Sequence, residues 1–158
     1  MANTSYLTKT VEPYLRDWAA RKIGKSLIKK KVKVGKNISG KQVFFEFDGV
    51  SADGKTGVCI SASSSYKTGQ MRKYFMEATL LNRVRSFKRR IMVFTNQNSW
   101  DGFKNQCDGM VDLKKIEPLI CSKLPVEMSK EIKRIYKISA DEVRGKSGPD
   151  IKPPGRRK

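Results

Sequence analysis

No histidine occurs anywhere in the 158 residues of this chain, and cysteine occurs only at Cys59, Cys107 and Cys121, without a C-x-x-C spacing. The missing imidazole removes Ser-His-Asp triads, Cys-His pairs and His-metal nuclease sites. The two shortages together argue against a structural zinc site, which draws its ligands from clustered thiolates and imidazoles. No apolar run approaches the ~18 to 20 residues of a membrane span, and the polar start MANTSYLTKT lacks the hydrophobic region of a signal peptide. The expectation is an intracellular protein, cytoplasmic or nucleoid-associated, that does not enter membranes and keeps its thiols free and buried or idle. Any chemistry must then use carboxylates, lysines or a hard, oxygen-liganded metal.

Acidic residues are scarce as well: 15 Asp and Glu stand against 34 Lys and Arg, for a formal charge of +19. Such an excess strains a compact fold by self-repulsion unless an anionic partner neutralises part of it, and nucleic acid is the commonest such partner. A solubility surface or another polyanion would also account for it. With 38% hydrophobic residues the chain can build one ordinary core. One domain is expected over residues 1–144, followed by a tail, 145–158, rich in Gly, Pro and basic residues and expected to be disordered.

Along the chain, Thr10 is a plausible N-cap for a helix carrying Glu12 and Pro13 in its first turn and Leu15, Trp18, Ala19 and Ile23 on one face, with Gly24 as its stop. The basic run KSLIKKKVKVGKNISGK reads as a strand or a loop. Gln70 to Arg85 reads as a helix and Ile91 to Phe94 as a buried strand. A short helix around Trp100 to Gln106, a strand at Gly109 to Leu113, and helices near Lys114 to Leu119 and Val126 to Tyr136 follow.

The densest chemistry lies between Val43 and Glu77. Phe44, Glu46 and Asp48 alternate to one side of a strand, with the carboxylates about 7 Å apart at the backbone, and Val43, Phe45 and Phe47 point to the other. Asp53-Gly54 turns the chain. Thr56 to Ser63 forms the partner strand, with Val58, Ile60 and Ala62 on one side and Cys59, Ser61 and Ser63 on the other, so that the hairpin has a packed and a polar side. On the following helix Gln70, Lys73 and Glu77 line up beside the apolar stripe.

This succession of helix, strands, helix and strand resembles the restriction-endonuclease-like PD-(D/E)xK nuclease superfamily. The resemblance implies an α/β fold, a single-domain mixed β-sheet flanked by helices. In the family an acidic residue ends the second core strand and an E-x-K tripeptide on the next completes a magnesium site. EFDGV supplies the first acid at Asp48; the tripeptide falls at Ser61-Ala62-Ser63, which lacks both the acid and the lysine. In one subgroup of restriction endonucleases the tripeptide reads S-x-K and a glutamate on the following helix replaces the missing acid. Ser61 matches that serine, and Glu77 stands 14 residues after Ser63. Lys67 or Lys73 would have to supply the lysine.

The resemblance therefore implies a Mg²⁺-dependent DNA endonuclease with Asp48, Glu77 and Glu46 as metal ligands and Ser61, Ser63, Lys67 and Lys73 in the catalytic site. A homodimer would cut both strands of a duplex, and membership of a larger complex is the other arrangement. Lys29, Lys30, Lys31, Lys33, Lys36, Arg83, Arg85, Lys88, Arg89 and Arg90 are the candidates for phosphate contact. Tyr74 reads as core; Tyr66 and Trp100 are open to either core packing or base stacking. Two other readings stay open: a nuclease fold that only binds nucleic acid, and an unrelated RNA- or ribosome-associated protein. Asp48 as a turn carboxylate and Glu77 as a surface partner of Lys73 would fit those readings.

Overall fold

Helix α1 (Glu12–Ile23) buries Leu15 and Ala19, four residues apart, while Asp17, Arg21 and Lys22 stay in water. Gly24 ends it at φ 69°, a left-handed conformation that suits glycine. The computed structural model describes residues 5–146, with side chains as far as Asp141. Thr10 is not the helix start: the chain is helical from Ser5, and a π-helical turn, Leu7–Val11, runs into α1. That wider turn lies just before Pro13, which has no N–H to continue the α-helical ladder.

The basic run after Gly24 is a strand, β1 (Leu27–Lys36), paired antiparallel with β2 (Gln42–Ser51). β2 turns at Ala52 to Lys55 into β3 (Thr56–Ile60), again antiparallel. Helix α2 (Thr68–Arg83) crosses over to β4 (Arg89–Phe94), parallel to β3, and α3 (Gln97–Cys107) crosses to β5 (Glu117–Ile120), parallel to β4. The sheet is five-stranded in the order β1-β2-β3-β4-β5. Helix α4 (Val126–Lys146) closes the described chain and runs well past Tyr136.

Two apolar clusters hold the layers together. On one face Phe47, Cys59, Met92 and Phe94 meet Tyr74, Ala78 and Leu81 of α2 and Trp100 and Phe103 of α3. On the other, Leu27, Val58, Ile60, Ile91 and Val93 meet Val11, Leu15 and Ala19 at the N-terminal helix and Met128 and Ile132 of α4. The result is one mixed α/β domain, a mixed sheet with helices on both faces. β3 alternates as expected, Val58 and Ile60 entering one cluster and Cys59 the other, but it is buried along its whole length, so the side expected to be polar is covered as well. The phenyl ring of Phe87 fills the place a Cβ on Gly57 would take, 2.2 Å away, which is why glycine stands there.

Differences gather after α3. No strand forms at Gly109 to Leu113, where the structure has an isolated bridge between Asp108 and Val111. The helix expected at Lys114 to Leu119 is a single 3-10 turn, Leu113–Lys115, followed by β5. Pro118 is tolerated in β5 because that strand is at the sheet edge. Of the expected tail, Gly145 and Lys146 end α4, and residues 147–158 lie outside the described residues. All three cysteines are free and buried, and no helix among the described residues is long and apolar enough to cross a membrane.

Candidate functional site

Asp48 owes its position to a break in the β1–β2 ladder. Ile28 pairs with Val50 and Lys30 with Phe47, so Asp48 and Gly49 together stand opposite Lys29. Such a bulge puts consecutive residues on one face of the sheet and re-aims a side chain. Phe47 and Val50 both enter the cluster under α2, whereas Gly49 lies against Leu27 and Val58 of the opposite cluster. Asp48 faces that second side, and its Oδ2 accepts a 2.7 Å hydrogen bond from the Ile60 amide. A side chain thus takes the place of a ladder carbonyl, at the point where β2 and β3 part. Arg16 donates to the Asp48 carbonyl oxygen from α1 at 2.5 Å.

Glu77 arrives from α2. Its side chain is buried, Oε1 lies 3.7 Å from Lys73 Nζ, and Oε2 is buried without a hydrogen-bond partner. Burial pushes its pKa up to about 8, overcoming the attraction of Lys73, and the charge on Asp48 adds to the rise. Burial likewise raises Asp48 to about 6 against the opposing Ile60 hydrogen bond, with Glu12 adding repulsion. Burial lowers the pKa of Lys73, but Glu77 and Asp48 outweigh it and the ammonium is held above its usual range. Near neutral pH the site therefore holds a charged Asp48, a largely protonated Glu77 and a cationic Lys73.

In the sequence Glu12 reads only as a first-turn helix residue. In the fold its Oε1 accepts from Arg16 at 2.8 Å and pairs with Lys29 at 3.0 Å, and its charge raises both Asp48 and Glu77. It lines a cavity of about 190 Å³ together with Ile60, Ala62, Lys73 and Tyr136. Local spacing carries no sign of this, because Glu12 meets the other groups only when α1 docks on the sheet.

The remaining candidates scatter. Ile60 and Ala62, rather than Ser61 and Ser63, line the cavity. Ser61 Oγ shares a 2.5 Å hydrogen bond with the buried Tyr74 hydroxyl, and Ser63 Oγ donates to the Ser65 carbonyl at 2.6 Å. Glu46 lies one step outward from Asp48 on β2, half exposed, 3.7 Å from Lys29. Lys67 is exposed at the N-cap of α2, so of the two candidate lysines it is Lys73 that stands with the carboxylates.

The basic candidates divide in the same way. Arg90 donates to the carbonyls of Leu81 and Val84 and so caps α2, Arg89 pairs with Glu117, and Arg83 donates to the Val34 carbonyl. Lys30, Lys31, Lys33, Lys36, Arg85 and Lys88 are exposed. Tyr74 and Trp100 are core, and Tyr66 stacks on Tyr74 and donates to Gln106.

The donor chemistry suits a hard cation. Glu77 Oε2 is a buried oxygen without a partner, and burial raises the proton affinities of Glu77 and Asp48 even with the Lys73 ammonium beside them. Mg²⁺ binds through one or two carboxylates and keeps waters for the rest. Among the described residues, no group of three or more His, Cys, Asp or Glu side chains is placed to hold a metal ion. What the chain offers is thus a carboxylate pair within the field of Glu12. In comparisons with protein-family models, curated proteins and solved structures, none matches this chain.

Proposed function

We propose that this chain is a Mg²⁺-dependent DNA endonuclease with a restriction-endonuclease-like core. The observation that carries the reading is the unpartnered, buried Glu77 Oε2 beside Lys73, in the field of Asp48 where β2 and β3 separate. The strand order supports it, since a helix, three antiparallel strands, a crossover helix and a parallel strand follow the course the resemblance implies.

Asp48 and Glu77 would hold the Mg²⁺, which when bound polarises a phosphodiester and acidifies a water. Glu77 has to release its proton to serve, and Mg²⁺ competes with that proton, so the affinity for Mg²⁺ is expected to rise with pH up to about 8. Lys73 is the cation that stabilises charge building on the phosphorus oxygens, in place of the tripeptide lysine. Glu12 and Arg16 orient Lys29 and the Asp48 backbone around it.

A second reading, a nuclease fold that binds nucleic acid without cutting it, is favoured by the apolar Ile60 and Ala62 at the cavity-facing positions. Nicking of supercoiled plasmid in Mg²⁺ separates the two. The wild type is expected to nick, with EDTA abolishing the activity and Asp48→Asn and Glu77→Gln each lowering it by about 100-fold or more. Nicking that survives both substitutions overturns the site, and a folded wild type that binds DNA without nicking it leaves the second reading.

A further inference from the structure

The β1–β2 hairpin outruns the sheet. β2 pairs with β3 at Gly49 and Val50, whereas its pairing with β1 continues out to Lys36 and Gln42. Beyond Asp48 the two strands therefore form a free ribbon. Its inner face carries Val32, Val34, Phe45 and Phe47, which pack on the cluster under α2, and the rings of Phe45 and Phe47 meet edge to face at 4.9 Å. Arg83 fastens the ribbon to α2: its Nε donates to the Val34 carbonyl at 3.1 Å and its guanidinium lies against Gly35. The ribbon is thus held against α2.

Its outer face is different. Phe44 is 55% exposed, opposite Lys33, and Lys31 stands opposite Glu46 on the same side. Glu46 shares Lys29 with Glu12, Lys31 and Lys33 keep the face positive, and the line Phe44, Glu46, Asp48 leads to the carboxylate site, roughly 14 Å at the backbone. An aromatic ring left in water between lysines is poorly suited to a second copy of a chain with charge +19. It suits a polyanion that also offers flat apolar faces. Duplex DNA keeps those faces stacked inside, whereas an unpaired strand exposes them.

We propose that the outer face of this ribbon seats an unpaired nucleic-acid strand, with Phe44 as the stacking platform and Lys31 and Lys33 as phosphate contacts, and leads that strand toward Asp48. Only the last clause rests on the nuclease reading. The substrate class would then be single-stranded or branched DNA in preference to plain duplex.

Fluorescence anisotropy in EDTA, with a labelled oligo-dT and a duplex of equal length across a salt series, tests the seat apart from catalysis. Oligo-dT is expected to bind more tightly than the duplex at equal salt. Phe44→Ala should weaken oligo-dT binding roughly 5- to 100-fold with an unchanged salt slope, and Phe44→Trp should retain it. Lys31→Ala with Lys33→Ala should lower the salt slope on the single strand by about 1.4. Phe44 is exposed, so Phe44→Ala should melt with the wild type, and circular dichroism checks this. Unchanged oligo-dT affinity in Phe44→Ala overturns the proposal. So does a wild-type dimer in sedimentation that Phe44→Ala dissociates, because that would give the face to a second copy. Failure of the metal site would show differently, as nicking that survives Asp48→Asn and Glu77→Gln with oligo-dT binding intact.

Discussion

Glu77 is the residue whose environment departs furthest from water, and its ionisation has a sign that can be checked. Its folded pKa of about 8 lies above the ordinary glutamate value of 4.5, so between those values the native state holds more protons than the unfolded state. Stability from this group is complete below about 4.5 and is lost as pH rises through about 8. Glu77→Gln, which stays neutral throughout, should match the wild type in urea denaturation at pH 5 and exceed it at pH 9 by about 2 to 4 kcal/mol. A wild type as stable as the variant at pH 9 would mean that Glu77 ionises at little cost. Asp48 and Glu77 were legible as site candidates because one ends an alternating strand and the other stands on the following helix, where the resemblance puts the displaced acid. Glu12 was not, because its part depends on α1 meeting the sheet.

Elements decide which of the many basic residues are free for a ligand. The run Arg83 to Arg90 looks uniform in sequence, yet Arg90 is committed to the last carbonyls of α2, at 2.9 Å from Leu81 O and 3.2 Å from Val84 O. Arg90→Ala should cost about 1 to 2 kcal/mol of stability and leave the salt slope of DNA binding unchanged. Chemical denaturation and a gel-shift salt series measure the two effects, and a reduced slope with normal stability would return Arg90 to the phosphate contacts. Strands with strong alternation or continuous apolar runs, β2 and β4, were readable from period alone, as were the apolar stripes of α1 and α2. β5 was not: Pro118 signals a break, and only its place at the sheet edge makes a strand there permissible. The parity of β3 was readable, with Val58 and Ile60 entering one cluster and Cys59 the other, but its burial was not. Alternation identifies two faces, but it does not say that helices cover both, so that the Ser61 hydroxyl meets the buried Tyr74.

Across the whole molecule, a charge of +19 acts against compaction. Raising NaCl from 20 to 200 mM should therefore raise the melting temperature, by a few degrees in calorimetry, and the same change should weaken DNA binding steeply. A melting temperature indifferent to salt would show that the described ion pairs already balance the repulsion. The three acidic groups, meanwhile, come from three different layers: Glu12 from the helix on one face, Asp48 from the sheet, and Glu77 from the helix on the other. Their assembly is a coincidence detector for folding. A chain still emerging from the ribosome, or one opened along either helical layer, lacks the full cluster, so whatever the cluster does is withheld until the last layer has docked.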